Sequence, residues 1–440
     1  MTHNNEELYI AVCGPVDAGK SSLIGVLTSG NLDNGRGLAR SKVLHHNHEL
    51  YSGRTSSITM NPIKYISKDN KISLNSTKSR KKKECAYIKD LSFNDNIEKE
   101  KVISFIDLAG HEKYLKTTIY GVTGMFPDRG ILVIGANTGI TKLTREHMGI
   151  LLYLKIPFII TITKIDMAPD EIYKKLKNKI KKLLMKNSFN KVIYFINNNI
   201  DTDKYIENKL DNEDIIPVIS ISNKDGTNID NLHKIIYNLS PRQKWENENE
   251  NKTVVYLDSD FNVPGIGLVV SGMIKGNQIK VKDKMYIGPH NGKFYPVIIR
   301  SIHNSIREDV TSISEKVQGC FAIKFVNPKE SITRKQINKG MVMVDDINNW
   351  QNNITDTFTA KIKILHHSST IRNGYTPVIH CGPVRQPATI KLINNNYLKS
   401  QENAIVMFKF HKHKEFLEKD TIFFFRDGTT KGTGQIINLK

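Results

Sequence analysis

The chain has 440 residues, 39% hydrophobic and 25% charged, a composition that fills several cores and excludes a disordered polar chain. Its formal net charge of +20 favours a polyanionic partner over an acidic-surface role. The longest apolar candidate, Ile150 to Ile162, is broken by Lys155 and Pro157, and Cys13, Cys85, Cys320 and Cys381 form no C-x-x-C pair; a membrane span, a zinc ribbon and a disulfide framework are therefore not expected, and a reducing, cytoplasmic setting is.

Leu8 to Cys13 reads as a buried strand, and Glu6 and Glu7 ahead of it do not make a signal peptide. The strand runs into Gly14-Pro15-Val16-Asp17-Ala18-Gly19-Lys20-Ser21, which fits G-x-x-x-x-G-K-[ST] without substitution. Backbone N–H groups of such a loop wrap phosphates, Lys20 reaches the outer ones, and the Ser21 hydroxyl faces Mg²⁺ at the start of a helix that continues from Ser22 to Leu27. Ser22 completes the residues expected around a nucleoside triphosphate. Further on, Arg54-Thr55-Ser56-Ser57-Ile58-Thr59-Met60 offers Thr59 as a magnesium ligand, with Ser57 as the competing register.

A polar insertion, roughly Ser67 to Glu100, carries the basic run Lys78 to Lys83 and reads as a loop. Val102 to Asp107 then forms a second buried strand, ending in Asp107-Leu108-Ala109-Gly110-His111. Asp107 is expected to hold Mg²⁺ through water, the Gly110 N–H to meet the γ-phosphate, and His111 to orient the attacking water.

Base choice comes from Phe158 to Ile162, a third β-branched run, followed by Thr163-Lys164-Ile165-Asp166. Asp166 accepts from guanine N1 and N2, a pair of donors that adenine lacks, so GTP and GDP are expected over ATP, with the Lys164 stem along the purine face. The usual motif begins with Asn; Thr163 keeps a hydroxyl but loses the carboxamide, which weakens the scaffolding of the base more than its selection. Ile215 to Ile219 leads into Ser222, whose backbone is placed to meet guanine O6. Between these, Asp170 to Lys186 puts Ile172, Leu176, Ile180, Leu183 and Leu184 on one helical face and its lysines on the other.

Near residue 240 the texture changes. Ser240-Pro241-Arg242 and the polar run Glu246 to Asn251 read as a linker, after which helical periodicity largely disappears. Short strands at Val254–Leu257, Gly267–Gly272, Lys284–Ile287, Val297–Ile299 and Phe321–Phe325 predict one β-barrel. Phe358–Leu365, Thr376–Ile379, Ala388–Ile393, Ala404–Phe410 and Thr421–Arg426 predict another. The expected fold is an α/β P-loop GTPase domain, a doubly wound mostly parallel sheet over residues 1–242, followed by β-barrel domains at 253–348 and 354–440.

The stretches DLAGHEKYLKTTIYGVTG from Asp107 to Gly124, Thr144-Arg145-Glu146-His147, Thr163 to Met167 and Leu239-Ser240-Pro241-Arg242 resemble translation GTPases of the elongation factor Tu and elongation factor 1-alpha class, and most of all its GTP-binding protein 1-like branch. The resemblance covers nearly the whole chain. It departs at Pro15 and Ala18, where elongation factor Tu has histidines, and at Ala109, where it has proline. It implies that Val16 and Ile58 flank the catalytic His111 and hold it off until a ribosome moves it. It also implies a monomer that acts with ribosomes and aminoacyl-tRNA, or with mRNA and the RNA-decay machinery; a sulfate-activating GTPase subunit shares the architecture. Because the first strand begins close to Met1, no N-terminal regulatory region is expected. Lys409, His411, Lys412, His413 and Lys414 are the candidate RNA-backbone contacts of the last domain.

Overall fold

The computed structural model describes residues 6–44, 49, 55, 57–68, 71–76, 99–185, 191–242, 252–428 and 430–440. The basic run 78–83 and the polar run 246–251 lie outside them. The described residues divide into two units, one within 1–122 and 127–243 and the other within 123–126 and 244–440.

The first unit is built on strands β1 (Glu6–Cys13), β2 (Thr59–Lys68), β3 (Lys71–Ser76), β4 (Lys99–Asp107), β5 (Arg129–Gly135), β6 (Phe158–Thr163), β7 (Val192–Ile196) and β8 (Ile215–Ser220). They form one sheet in the order β3-β2-β4-β1-β5-β6-β8-β7. From β4 to β7 all neighbours are parallel, and β2 and β3 add an antiparallel edge. Strands covered on both faces read as mostly apolar runs, and β5 and β6 are buried at every position.

The crossovers supply helices α1 (Lys20–Ser29), α2 (Leu38–Ser41), α3 (Leu115–Gly124), α4 (Lys142–Tyr153), α5 (Asp170–Met185), α6 (Asn199–Asn208) and α7 (Ile229–Asn238). One core gathers Leu8, Ile10, Val12, Leu23, Val26, Leu27, Phe105, Ile131, Leu232 and Ile236, the inner faces of α1 and α7 against the sheet. α5 buries Leu176, Ile180 and Leu184, whereas Ile172 of the expected apolar face is 47% exposed. In this sheet the carboxyl ends of β4, β1, β5, β6 and β8 lie in a row along one edge, where open α/β sheets bind ligands.

In the second unit, strands Val254–Val263, Gly267–Lys275, Lys284–His290, Lys293–His303, Gln318–Phe325 and Val342–Val344 pair into a sheet closed by Lys284–His290 against Lys293–His303. A second closed barrel joins Thr357–His366, Val378–Cys381, Val384–Leu392, Asn403–Phe410, Ile422–Asp427 and Thr430–Leu439. Each barrel includes a strand that the sequence did not suggest, Val342–Val344 in the first and Thr430–Leu439 in the second. The latter contains Gly432 and Gly434, where a Cβ would come within 2.0 Å of the Phe425 ring and 2.5 Å of the Phe423 ring. Glycine is needed there for packing, and it also erases the β-branched signature of a strand. Trp350 and Phe416 pack 5.3 Å apart between ring centres, with Val254, Tyr256, Val342 and Val344 around them, in an apolar cluster separate from the two barrel cores.

Candidate functional site

β1 ends at Cys13, and the chain turns through Gly14 to Gly19 before α1 begins at Lys20. Asp17 and Gly19 take positive φ of 59° and 89°, which curls the loop over the helix N-terminus. Lys20 is buried, and its Nζ donates to the Pro15 carbonyl at 2.9 Å. The Gly14 N–H donates to Nδ1 of His147 on α4 at 3.0 Å. Burial, and then the Lys20 charge, hold the His147 pKa down to about 3, so this imidazole is neutral and its Nδ1 accepts.

The Ser21 hydroxyl donates to Asp107 Oδ2 at 2.8 Å and lies 2.9 Å from Thr55 Oγ1, which itself donates to the same carboxylate oxygen at 3.1 Å. Asp107 ends β4 and is fully buried. Burial works against charge on both Asp107, whose pKa is raised, and Lys20, whose pKa is lowered; each charge partly offsets the effect on the other. Three hard oxygen donors converge here, and Asp107 Oδ1 is buried with no hydrogen-bond partner among the described residues. A Mg²⁺ ion fits this donor set.

The threonine that meets Ser21 and Asp107 is Thr55, whereas the expected Thr59 lies in the sheet. Thr59 opens β2, paired in register with Asp107, and its hydroxyl accepts from Asn61 Nδ2 at 3.3 Å. Strand pairing thus fixes its backbone, while the segment before the strand carries Thr55 over to Ser21. The competitor Ser57 is engaged elsewhere, its N–H and hydroxyl both donating to Glu49 Oε1 at 3.2 Å.

Gly110 follows β4 directly beneath the phosphate loop. A Cβ there would lie 2.2 Å from Lys20 Nζ and 2.9 Å from the Gly14 carbonyl, so only glycine fits. His111 is exposed, and its Nδ1 accepts from the Lys113 N–H at 3.1 Å, capping a short 3-10 turn. Val16, Lys20, Ser21, Ser22, Thr55, Gly110, His111 and Lys164 line one cleft of about 330 Å³. Ile58 reaches instead toward α3, its Cδ1 being 3.1 Å from where a Cβ on Gly121 would sit. Arg36 and Arg40 line the same cleft, and the Arg40 guanidinium lies over Gly37. No phosphate-loop pattern marks these arginines, and the sequence reading missed them.

On the base side, the Thr163 hydroxyl donates to the Ala18 carbonyl at 2.6 Å. Asp166 is exposed, and its Oδ1 accepts from the Ser222 hydroxyl at 2.9 Å. Ser222 therefore acts through its side chain, which sets the Asp166 carboxylate. Its N–H, expected to meet guanine O6, is committed to the Thr227 carbonyl at 3.2 Å because the loop after β8 closes on itself there.

A phosphate loop, a D-x-x-G turn and a base-side aspartate at the carboxyl edge of one sheet, followed in the chain by two closed barrels, define a multidomain P-loop GTP-binding protein. A family model, "Elongation factor Tu GTP binding domain", matches residues 5–242. GTP-binding protein 1 of Xenopus laevis is 39% identical over 98% of this chain and 63% of its own length, so the chain spans under two thirds of that relative. GTP-binding protein 2 of Homo sapiens is 34% identical over 99% of this chain and 69% of its own length. The fold matches the bacterial selenocysteine-specific elongation factor EF-Sec at TM-score 0.68 and 18% identity, over 99% of this chain and 59% of that one. It also matches the elongation factor SelB of Methanococcus maripaludis bound to a GTP analogue, at TM-score 0.67 and 20% identity, over 99% of this chain and 80% of that one. The chain belongs to the translation GTPase family of the elongation factor Tu type.

Proposed function

We propose that this protein hydrolyses GTP to GDP and phosphate as an elongation-factor-like switch that works with the ribosome and aminoacyl-tRNA. The observation that carries the reading is the Ser21–Thr55–Asp107 cluster beside Lys20, on the same sheet edge as Asp166. Bound Mg²⁺ would neutralise charge on the phosphate oxygens, held by Ser21, Thr55 and Asp107. Lys20 and the loop N–H groups bind the triphosphate, the Gly110 N–H faces its outer end, and Asp166 takes the guanine N1 and N2 protons. His111 orients the attacking water, and catalysis is positioning and charge neutralisation with no covalent intermediate. His111 is exposed and its Nδ1 accepts from the Lys113 N–H, which supports slow turnover until a partner redirects the ring.

The family membership supports the ribosome and tRNA as partners, and the net charge of +20 supports RNA contact. Free Cys13, Cys320 and Cys381 support a reducing, cytoplasmic setting. The test is co-sedimentation with ribosomes and tRNA in GTP and in GDP, with GTP turnover measured in each mixture. GTP-dependent binding with faster turnover is the expected result. GTP-dependent RNA binding without turnover would assign the protein instead to nucleotide-switched adaptors of the kind used in mRNA decay.

A further inference from the structure

The nucleotide cleft holds two cations that its sequence motifs leave without a task. Of its charged lining, Lys20, Arg36, Arg40 and Lys164 outnumber Asp17 and Asp33. Arg36 is exposed and Arg40 is half-buried, and among the described residues neither guanidinium makes a hydrogen bond or an ion pair. A guanidinium stays charged and presents its N–H donors in a planar fork, which suits phosphate oxygens taken two at a time.

The segment that carries the arginines is fastened at both ends. The Asp33 N–H donates to the Asn223 carbonyl at 2.8 Å, next to the Ser222 that holds Asp166, and a Cβ on Gly35 would lie 3.7 Å from the Lys224 side chain. Its start is therefore tied to the base side. The chain then turns at Gly37, where φ is 92°, and the Ala39 N–H donates back to the Asp33 carboxylate at 2.9 Å. The Ala39 carbonyl rests on α1, 2.1 Å from where a Cβ on Gly25 would sit, so only glycine permits this approach. A nucleotide laid from Asp166 toward Lys20 and Gly110 presents its α- and β-phosphates before its γ-phosphate. Cations that enter from the base side meet those two first. We infer that Arg36 and Arg40 clamp the α- and β-phosphates of the bound nucleotide, and so contribute equally to holding GDP and GTP.

This rests on the reading of the chain as a GTP-binding protein, and the experiment separates the two. The full chain, its Arg36→Gln and Arg40→Gln variants and the double variant are titrated with GTP and with GDP, each at low and at high salt. The double variant should weaken GTP and GDP by the same factor, at least roughly tenfold, as expected for loss of hydrogen bonds to charged groups. Both affinities should also become less sensitive to salt, because charge pairs at this open edge of the cleft are screened. A loss confined to GTP would put the arginines at the γ-phosphate and overturn the proposal. Unchanged affinities, or an equal loss that leaves the salt dependence as it was, would make them surface or packing residues and overturn it too. Failure of the unsubstituted chain to bind either nucleotide would instead sink the GTP reading itself. The single variants, Arg36→Gln at an exposed position above all, guard against a double variant that does not fold, checked by thermal unfolding without nucleotide; each should weaken both nucleotides alike.

Discussion

The Thr163 hydroxyl donates to the Ala18 carbonyl across 2.6 Å, tying the end of β6 to the phosphate loop. The substitution of Thr for Asn therefore keeps the link between the base side and the phosphate side of the site. What it gives up is a donor toward the base.

On the proposed reading, Asp166 sets base choice. Asp166→Asn removes the acceptor for guanine N1 and N2, and two bonds to a charged group are together worth at least roughly 100-fold in affinity. GTP should weaken by that much, and xanthosine triphosphate, with an acceptor at its 2-position, should gain. Equal affinity of the unsubstituted chain for ATP and GTP would rule this out.

The metal hydroxyl can be assigned by titration. Thr55→Ala should raise the Mg²⁺ concentration needed to retain GTP by about tenfold, as expected for loss of one supporting ligand. Thr59→Ala should leave that requirement where it was, since its hydroxyl accepts from Asn61. The reverse pattern would restore Thr59 to the role that sequence spacing suggested.

Binding and chemistry should separate between Lys20 and His111. Lys20→Ala deletes the buried cation at the phosphates and should abolish GTP binding in equilibrium assays. His111→Ala should leave GTP affinity nearly intact and slow partner-stimulated hydrolysis by roughly 10² to 10⁴-fold. Unchanged turnover in the His111 variant would move the catalytic role to another group lining the cleft, with Arg36 and Arg40 the first to test.

Acid should destabilise the first unit before its carboxylates titrate. Burial holds His147 and His233 down to about 3, against 6.5 when unfolded. Between those values the unfolded chain binds protons that the folded chain refuses. Stability is therefore fully present above pH 6.5 and falls as pH drops toward 3, each histidine adding a slope of up to about 1.4 kcal/mol per pH unit. Urea titrations at pH 7.5, 6 and 5 measure this, and His147→Gln should flatten the profile. Stability independent of pH across that window would mean that both rings reach solvent.

In the last barrel, Lys409, Lys412 and Lys414 are exposed, whereas His413 pairs with Glu415 at 3.2 Å and His411 meets Thr389 at 2.5 Å. Among the described residues, the lysines are thus the free cations of this stretch. Replacing the three with Gln should weaken tRNA binding and flatten its log-affinity against log-salt slope by roughly 0.7 to 0.9 per lost contact. An unchanged slope would make them solvated surface.

The sequence makes the phosphate loop, the D-x-x-G turn and the parallel strands legible because each combines an apolar run with residues that tolerate few replacements. Thr55 was hidden because four hydroxyl-bearing residues fall between Arg54 and Met60, and only the start of β2 decides which is free to leave the sheet. Ser222 was placed in the right loop, but the turn back to Thr227 that occupies its N–H is a tertiary detail with no spacing signature. Both barrels were expected, and their closing strands were missed, the last because its glycines serve the rings of Phe423 and Phe425.

Thr55 belongs to the cluster with Ser21 and Asp107, whereas Thr59 is sewn into the sheet opposite Asp107. Four residues, each spanning at most about 3.3 to 3.6 Å, separate them, a leash of roughly 14 Å at full stretch. If Thr55 lets go when the γ-phosphate leaves, its excursion is bounded on that side by the leash while Asp107, shared by both ends, stays put. The carboxylate is thereby a fixed post from which the loop can be unhooked and to which it can return.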